Sequence, residues 1–530
     1  MRFIYILSIL FVYGFAHAQP PAAIIPMPVS FVAGKGFFTL DNKVTIGYNN
    51  AQLKTAAYYF QHELLSQKGI TIQQKEGPAN ILLVLKPAKK KNDSNAYQVS
   101  IKPDQVIISA NDRQGIFYGM ISMLQLALAS KNNQLPAAEI SDAPAYGWRG
   151  FMLDESRHFF GKEKVKSILN WMAFYKLNVF HWHLTDEPAW RLEIKKYPNL
   201  TLIGGIGDYL NPDLPAQFYT QADIKEIIAY AAERYIQVIP EIDMPGHATA
   251  ANKAYPEYSG GGSAGHPEFT FNPGLEKTYT YLTNILKETN VLFPAGIIHL
   301  GGDEVSFGNE KWNTNADILK LRQRENLKDN AAVEHYFIKR MADSLYQLHS
   351  KVIFWDEMAD ADLPKDKTLM FWWRQEKPEQ LRTALSKGYS TVLCPRLPLY
   401  FDFVQDSTHQ YGRKWNKLYN PIEQVYSFDA ASYAKNAQEE PLILGIQANL
   451  WTETVDNDRR LDFLLFPRIA ALAEAAWLPQ KRKDFKTFSV NLTGHLALYS
   501  KAGLYYYDPS KTLLHPEIPV KRKKPLNYKD

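Results

Sequence analysis

Two carboxylates, Asp303 and Glu304, stand side by side in the stretch "IIHLGGDEVSF" (297–307). A pair of acids is a residue type that serves general acid and base chemistry. Successive residues on a regular strand point to opposite faces, so both acids reach one ligand only where the strand breaks into a loop. Gly301 and Gly302 make that departure possible. The stretch therefore predicts a catalytic acid pair at the end of a strand.

The elements that would position this pair are a series of short apolar strands, each followed by a helical stretch. The strand candidates are 148–153, 178–184, 235–242, 296–301, 351–355, 368–373, 389–394 and 442–450. Eight strands alternating with helices predict an α/β fold, a (β/α)8 TIM barrel. The alternative is an open doubly wound sheet, although no G-x-G-x-x-G or P-loop motif follows the first strand.

In a barrel of this kind, functional groups lie at the carboxyl ends of the strands. The predicted strands and their ends carry acids, basic residues and aromatic residues: Arg149, Asp154, His181, His183, Asp186, Glu187, Trp190, Glu241, Asp243, His247, His299, Asp303, Glu304, Trp355, Asp356, Glu357, Trp372, Trp373, Arg374, Tyr400, Asp402, Trp451 and Glu453. Carboxylates and arginine hydrogen-bond hydroxyl groups, and indole rings cover apolar faces. The lining therefore suits a neutral polyhydroxylated ring.

The remaining chain predicts three further segments. Residues 1–18, "MRFIYILSILFVYGFAHA", have the charged start, apolar run and small-residue end of a signal peptide, which predicts export to the periplasm or the outside. Residues 22–143 predict a smaller α/β domain with strands 43–48, 80–85, 96–101 and 105–110. The barrel then covers residues 144–500, and 501–530 form a C-terminal tail.

Composition excludes several classes of protein. The net charge is +5 and the basic residues form no long stripe, so no nucleic-acid partner is expected. The N-terminal apolar run is too short for a membrane span. Cys394 is the single cysteine, so the chain has no internal disulfide. The oligomeric state is left open by these features.

Six blocks of sequence together resemble the β-N-acetylhexosaminidases of glycoside hydrolase family 20. They are "WRGFMLDESRHF" (148–159), "HWHLTDEPAWR" (181–191), "PEIDMPGH" (240–247), "HLGGDEV" (299–305), "FWDE" (354–357) and "GIQANLWTE" (445–453). The resemblance covers residues 24–480 and includes the smaller N-terminal domain.

The resemblance implies hydrolysis of glycans that end in a β-linked N-acetylhexosamine, with a retaining mechanism, no cofactor and no metal. Glu304 would be the acid/base. Asp303 would orient the acetamido group, whose oxygen attacks the anomeric carbon. The other implied roles are sugar binding by Arg149, Asp402 and Glu453, hydrogen bonding to the acetamido oxygen by Tyr400, walls made of Trp355, Trp373 and Trp451, and tuning of Glu304 by Asp186 and His247.

The chain departs from the family pattern at two places. After "HLTD" the family commonly continues Asp-Gln-Gly-Trp, whereas this chain has Glu187, Pro188 and Ala189 before Trp190, which puts a ligand role for Glu187 in doubt but keeps Asp186. The segment around Tyr400, "CPRLPLYFDF", is longer than usual, and Arg396 could lie at the rim of the pocket.

Two other classes of function remain as alternatives. His181-x-His183 on a barrel strand is also typical of metal-dependent amidohydrolases, although here it falls on the second strand and no bridging lysine accompanies it. A glycan-binding protein on a catalytically inactive barrel would bind sugar without turnover. The acid pair disfavours it, and His181, His183 and His299 are predicted to fill the barrel interior.

Overall fold

The structure is a computed structural model that describes residues 24–87, 95–414 and 417–520. The predicted signal peptide, residues 1–18, lies outside the described residues. Contacts divide the described residues into two compact units, one made of Ile24 with the described part of 28–142 and one made of 25–27 with the described part of 143–520.

The first unit is a seven-stranded mixed sheet with two helices. Its strands are β1 (Ser30–Thr39), β2 (Thr45–Tyr48), β3 (Gln73–Gln74), β4 (Ile81–Leu85), β5 (Tyr97–Ile101), β6 (Val106–Ala110) and β7 (Gln134–Asp142), and its helices are α1 (Lys54–Lys68) and α2 (Arg113–Ala129). The strand order is β1-β7-β5-β6-β4-β2-β3. Helix α2 lies very close to the sheet, because a Cβ atom at Gly119 would come within 2.6 Å of Ile108. The four predicted strands are present as β2, β4, β5 and β6, whereas β1, β3 and β7 were not predicted.

The second unit is a closed barrel of eight parallel strands, which confirms the predicted fold class. The barrel strands are β8 (Trp148–Asp154), β9 (Val179–His183), β10 (Gln237–Glu241), β13 (Ile297–His299), β14 (Lys351–Trp355), β15 (Thr368–Trp372), β16 (Ser390–Leu393) and β17 (Ile443–Leu450). Strands β11 (Ser259–Gly261) and β12 (Thr270–Phe271) form a separate antiparallel pair in the loop after β10. All eight predicted strands are found within a few residues of their expected bounds, and β17 pairs with β8 to close the barrel.

Helices surround the barrel and connect its strands. They are α3 (Lys162–Phe174), α4 (Asn199–Leu202), α5 (Gln221–Ala232), α6 (Thr249–Ala254), α7 (Glu276–Leu292), α8 (Ala316–Arg324), α9 (Asn330–Gln347), α10 (Pro378–Ser386), α11 (Arg396–Leu399), α12 (Ile422–Ser427), α13 (Asp458–Leu465), α14 (Arg468–Trp477) and α15 (Phe485–Lys501). No helix of the described residues is long and apolar enough to cross a membrane. Residues 502–520 follow α15 without helix or strand.

Local sequence explains where several of these helices begin. Thr220 and Asp223 form a capping box at the start of α5, in which each side chain accepts a hydrogen bond from the backbone of the other. Asp329 caps α9 and Asn457 caps α13 in the simpler way, by accepting a backbone N–H from the first turn. These caps fix where each loop from the barrel mouth ends.

Candidate active site

A cavity of about 510 Å³ opens at the carboxyl ends of the barrel strands. Its lining combines acids, basic residues and aromatic rings: Arg157, Asp186, Glu187, Pro188, Tyr209, His247, Gly265, His266, Asp303, Glu304, Phe307, Trp355, Trp373, Tyr400, Arg413, Trp451 and Glu453. Functional groups in a TIM barrel lie at this face. The structure thus brings most of the sequence-predicted site residues together around one cavity.

Both acids of the opening stretch reach the cavity because the backbone leaves strand geometry directly after β13. Gly301 and Gly302 have φ values of 66° and 83°, and Glu304 itself has φ 54°. A Cβ atom at position 301 would overlap the carboxylate of Asp243 at 1.7 Å, so only glycine fits there. Asp303 is nearly buried, with 8% of its surface exposed, whereas Glu304 is partly exposed.

His247 lies behind this acid pair and faces both members. Its Nδ1 is 3.0 Å from Oδ1 of Asp186, and its Nε2 is 3.7 Å from Asp303 and 3.6 Å from Glu304. Burial alone would lower the pKa of His247, but Asp186 and Asp243 outweigh it and hold that pKa well above its usual value. His247 is therefore a cation that sits between Asp186 and the acid pair.

Asp186 is the anion that faces the His247 cation. Arg157 lies 2.8 Å from its Oδ2, and His247 and His183 bond the same carboxylate. Burial acts to raise the pKa of Asp186, yet these cationic partners hold it well below the usual value. Asp186 is consequently an ionised, fully engaged carboxylate that orients His247.

The Asp303 carboxyl is harder to ionise than an ordinary aspartate, although the predicted role of Asp303 as orienter of the acetamido group calls for a carboxylate. Burial, opposed by the His247 cation and reinforced by Glu304, raises its pKa to about 7. The neighbouring Asp243 is also buried, and burial together with Asp303 holds its pKa well above the usual value. Oδ1 of Asp303 accepts no hydrogen bond from any described residue. It is a buried acceptor that faces a cavity.

Aromatic rings form the walls on the strand side of the cavity. Trp373 and Tyr400 lie with their rings parallel at 6.3 Å, and Trp355 and Trp451 lie 6.1 Å apart. The indole N–H of Trp355 donates to Glu241 at 2.8 Å. Burial raises the pKa of Tyr400 well above the usual value, so its hydroxyl stays a hydrogen-bond donor. All four predicted aromatic residues line the cavity.

An ion-paired cluster closes another part of the wall. Arg413 lies 3.0 Å from Asp402 and 3.6 Å from Glu453. Arg413 and Glu453 line the cavity, and Asp402 is buried directly behind Arg413. Burial, opposed by Arg413, raises the pKa of Asp402 to about 7. The sequence did not single out Arg413, because it lies in an irregular loop outside every motif.

The prediction that Arg149 binds sugar is wrong. Arg149 is the second residue of β8, at the end of the barrel opposite the cavity, and it is completely buried. Its guanidinium donates to the carbonyl oxygens of Lys176 at 2.9 Å and Tyr146 at 2.7 Å. Arg157, eight residues later in the same block, lines the cavity instead. Its place after the carboxyl end of β8 was the signal that distinguishes the two arginines.

The interior histidines surround Glu241, and one of them hydrogen-bonds its carboxylate. His183 Nδ1 bonds one carboxylate oxygen, His181 Nε2 lies 3.1 Å from the same oxygen, and His299 Nδ1 lies 2.9 Å from the other. The ligand atoms of His181, Glu241 and His299 lie within 4.8 Å of one another, as they would around a metal ion, and so do three other groups. In this cluster, however, Glu241 already hydrogen-bonds Nδ1 of His183 and accepts from the indole N–H of Trp355. A metal ion would have to displace those hydrogen bonds.

The other three groups share the acid pair's surroundings: His183–Asp186–Asp243, Asp186–Glu187–His247 and Asp243–His247–Asp303. In each of them the histidine is already a hydrogen-bond partner of Asp186 or carries a proton. The donor set therefore fits a proton-sharing network better than a metal centre.

Sequence comparison identifies the family to which this architecture belongs. Residues 146–480 match the catalytic domain of glycosyl hydrolase family 20, and residues 22–143 match domain 2 of the same family. The chain belongs to glycosyl hydrolase family 20. Its fold and the site at the barrel mouth are therefore those of a glycoside hydrolase family.

Several family 20 relatives are similar along most of the chain. A β-hexosaminidase of Porphyromonas gingivalis is 34% identical over 508 residues, which cover 92% of this chain and 64% of the relative. The chain thus spans less than two thirds of that protein's length. An exo-β-N-acetylglucosaminidase of Vibrio harveyi, solved with N-acetylglucosamine, superposes with a TM-score of 0.85 at 30% identity, covering 93% of this chain and 80% of that one. A β-N-acetylhexosaminidase of Bacteroides fragilis gives 0.80 at 30% identity, with 91% and 96% covered.

Proposed function

We propose that the chain is an exo-acting β-N-acetylhexosaminidase that removes terminal N-acetylglucosamine or N-acetylgalactosamine with retention, using the substrate's acetamido oxygen as nucleophile. The observation that carries this proposal is the adjacent pair Asp303 and Glu304 at one cavity, with Asp186 already bonded to Arg157 and His247. An aspartate so engaged is a poor nucleophile, and the acetamido group supplies one. The names of the family 20 relatives point to the same substrate class.

In the first step Glu304 donates its proton to the glycosidic oxygen, and the bond from that oxygen to the anomeric carbon breaks. The acetamido oxygen forms the new bond to the anomeric carbon. Asp303 accepts a hydrogen bond from the acetamido N–H and stabilises the positive charge that develops on the resulting oxazolinium ring. Tyr400 donates its hydroxyl proton to the attacking oxygen as a hydrogen bond and so orients it.

In the second step water attacks the anomeric carbon, and the Glu304 carboxylate accepts the water proton. The bond to the acetamido oxygen breaks, and the product keeps the β configuration. Trp355, Trp373 and Trp451 enclose the acetamido methyl group and one sugar face. Arg157 and Glu453, with Asp402 behind Arg413, would hold the hydroxyl groups of the terminal sugar.

The first experiment compares an aryl β-glycoside of N-acetylglucosamine with the matched glucoside, which lacks the acetamido group. We expect fast release of the aryl group from the first and almost none from the second. Equal rates would contradict substrate assistance and would require a protein nucleophile. Binding of N-acetylglucosamine without turnover of either glycoside would favour a glycan-binding protein.

Two substitutions of Glu304 test its role as the general acid and base. Glu304→Gln should lower kcat by about 10²-fold or more for an alkyl glycoside, because general acid catalysis typically contributes that much. With Glu304→Ala and an activated aryl glycoside, added azide should restore turnover and yield the β-azide. Glu310→Gln, an exposed glutamate of the same loop region, is the matched control and should keep wild-type activity. An α-azide product would contradict the retaining route.

Export is the second part of the proposal, and it rests on residues 1–18 alone. We propose that the protein is exported and that the mature chain begins near Gln19. Fractionation of the producing cell, with mass spectrometry of the N-terminal peptide, tests this. A cytoplasmic protein that retains Met1 to Ala18 would contradict it.

A further inference from the structure

The proposed reaction leaves part of the cavity lining unused. This part is lined by Glu187, Pro188, Gly265, His266 and Phe307. Because Glu304 donates its proton to the glycosidic oxygen, the leaving group must lie next to Glu304, and His266 and Phe307 also lie next to it. The residues named here are on the loops after β9, β10 and β13, at the cavity rim.

Phe307 is placed by the same turn as the acid. The segment Val305–Phe307 forms a single 3-10 turn directly after Glu304, and the amide of Phe307 donates to the carbonyl oxygen of Glu304 at 2.9 Å. The carbonyl oxygen of Phe307 accepts from the hydroxyl of Ser263 at 2.7 Å. The ring is nevertheless 48% exposed. A large apolar ring held at a cavity mouth and left half uncovered is suited to stacking against a ligand.

A hydrogen-bonded pair of polar side chains, His266 and Glu187, lies beside this ring. Nδ1 of His266 lies 2.9 Å from Oε1 of Glu187, with 37% and 26% of the two side chains exposed. The hydrogen bond that His266 donates to Glu187 raises the pKa of His266. The rings of His266 and Phe307 lie 6.0 Å apart and are tilted by 33°. The pair therefore presents both a donor and acceptors next to an aromatic face.

The charges around this region select the kind of ligand. Glu187 hydrogen-bonds His266, Arg157 acts electrostatically on Glu187, and Glu304 acts on His266, so groups of both signs face this region. An anionic ring would meet Glu187 and Glu304, and a cationic ring would meet His266 and Arg157, so neither sign of charge is favoured. A neutral ring with hydroxyl groups along its edge and apolar C–H groups on its face satisfies both features.

We propose that Phe307, His266 and Glu187 form the binding subsite for the leaving-group sugar, and that this sugar is a neutral hexopyranose. The ring stacks on Phe307, and its hydroxyl groups hydrogen-bond with the His266–Glu187 pair. The inference rests on the proposed function, since it is Glu304 as acid that defines the leaving-group side. It also gives Glu187 a ligand role.

The test compares two substrates that differ only in the leaving group. One is the β-1,4-linked disaccharide of N-acetylglucosamine, which places a neutral sugar ring in the subsite. The other is the methyl β-glycoside of N-acetylglucosamine, which leaves the subsite without a ring. Both release an alcohol and need the same proton from Glu304, so the ratio of their kcat/KM values isolates the contribution of the leaving-group ring.

Phe307→Ala should lower that ratio by about tenfold, which is about 1.4 kcal/mol, the upper end of what an aromatic contact contributes. Phe307→Trp should restore it, because an indole offers a larger face at the same place. Phe37→Ala removes a ring that is 56% exposed on β1 of the other unit and is the matched control. Unfolding curves of all variants exclude loss of folding as the cause.

Glu187→Gln tests the polar half of the subsite. It should lower the same ratio by severalfold, since the amide keeps the shape but weakens the charge-assisted hydrogen bonds. A second disaccharide whose leaving sugar is a uronic acid should be a poorer substrate than its neutral counterpart, and Glu187→Gln should narrow that difference.

The outcomes separate the two proposals. If the wild-type enzyme hydrolyses neither substrate, the proposed function fails and the subsite fails with it. If the wild-type enzyme hydrolyses both and Phe307→Ala leaves the ratio unchanged, only the subsite is overturned. A uronic acid leaving group that is preferred over a neutral one would overturn the assignment of the ligand class.

Discussion

Asp303→Asn should stabilise the fold at neutral and alkaline pH while it reduces activity. Asp303 is 8% exposed, one of its oxygens accepts no hydrogen bond from a described residue, and Asp243 and Glu304 lie beside it. Ionising such a group is costly, and the cost disappears when the carboxylate is replaced by a neutral amide that can donate to the neighbouring acids.

The sign and size of the effect follow from the shift in pKa. The carboxyl has a usual pKa of 3.8, which its environment in the fold raises to about 7. Between these values the folded chain holds a proton that the unfolded chain has released, so stability falls as pH rises through this window. For one independent group, linkage gives a difference of about 2.6 kcal/mol between about pH 5 and about pH 8. Because the buried Asp243 carboxyl interacts with Asp303 and competes with it for a proton, we expect on the order of 2 kcal/mol.

Urea unfolding of the wild type and of Asp303→Asn at these two pH values is the assay. The variant should gain on the order of 2 kcal/mol more at about pH 8 than at about pH 5. Asp360→Asn, which changes an exposed aspartate after β14, is the control and should show no such difference. An equal gain at both pH values, or a loss at the higher one, would refute the reasoning.

Three further substitutions test other parts of the site. His247→Gln removes the cation that lowers the pKa of Asp303, so the acid limb of the pH profile of kcat/KM should move to higher pH. An acid limb that stays in place would contradict the electrostatic coupling of His247 and Asp303. Arg413→Ala removes the cation that counteracts the effect of burial on Asp402, so the pKa of Asp402 should rise above about 7. We expect kcat/KM at neutral pH to fall by about tenfold. An unchanged kcat/KM would show that the sugar hydroxyl groups are bound elsewhere. Trp355→Phe leaves a buried carboxylate without its indole donor and should cost about 1–3 kcal/mol in urea unfolding, while a neutral result would mean that the neighbouring histidines compensate.

Strand placement in the barrel was predictable because burial on both faces leaves continuous apolar runs. All seven residues of β8 are buried, and so are the five of β9. The opposite holds for β1, in which most residues are exposed and no alternation of period two appears. It was missed because the hydrophobic pattern that predicts a strand is absent from it.

The two arginines of the first block show where a motif stops being informative. A motif gives residue types in order, and both Arg149 and Arg157 lie within the same twelve residues. Only the direction of the strand decides between them, since the start of β8 is at the closed end of the barrel and its end is at the cavity. Arg413 could not be predicted at all, because it reaches Asp402 through a loop whose path is set by tertiary packing. Its amide donates to the Asp402 carbonyl oxygen, and a Cβ atom at the preceding Gly412 would lie 2.6 Å from Val404.

The adjacent acids Asp303 and Glu304 were the strongest signal in the sequence. The backbone around them also tolerates few other residues. Gly301 must lack a side chain because Asp243 occupies the space, and Gly302 must do so because a Cβ atom would lie 2.9 Å from Met358. Glu304 adopts a left-handed conformation that costs about 1 kcal/mol or more for a residue with a side chain. A cap or a surface turn would not retain that strain, since an asparagine or glycine would relieve it. The strain is consistent with selection for a carboxylate at this position rather than for stability.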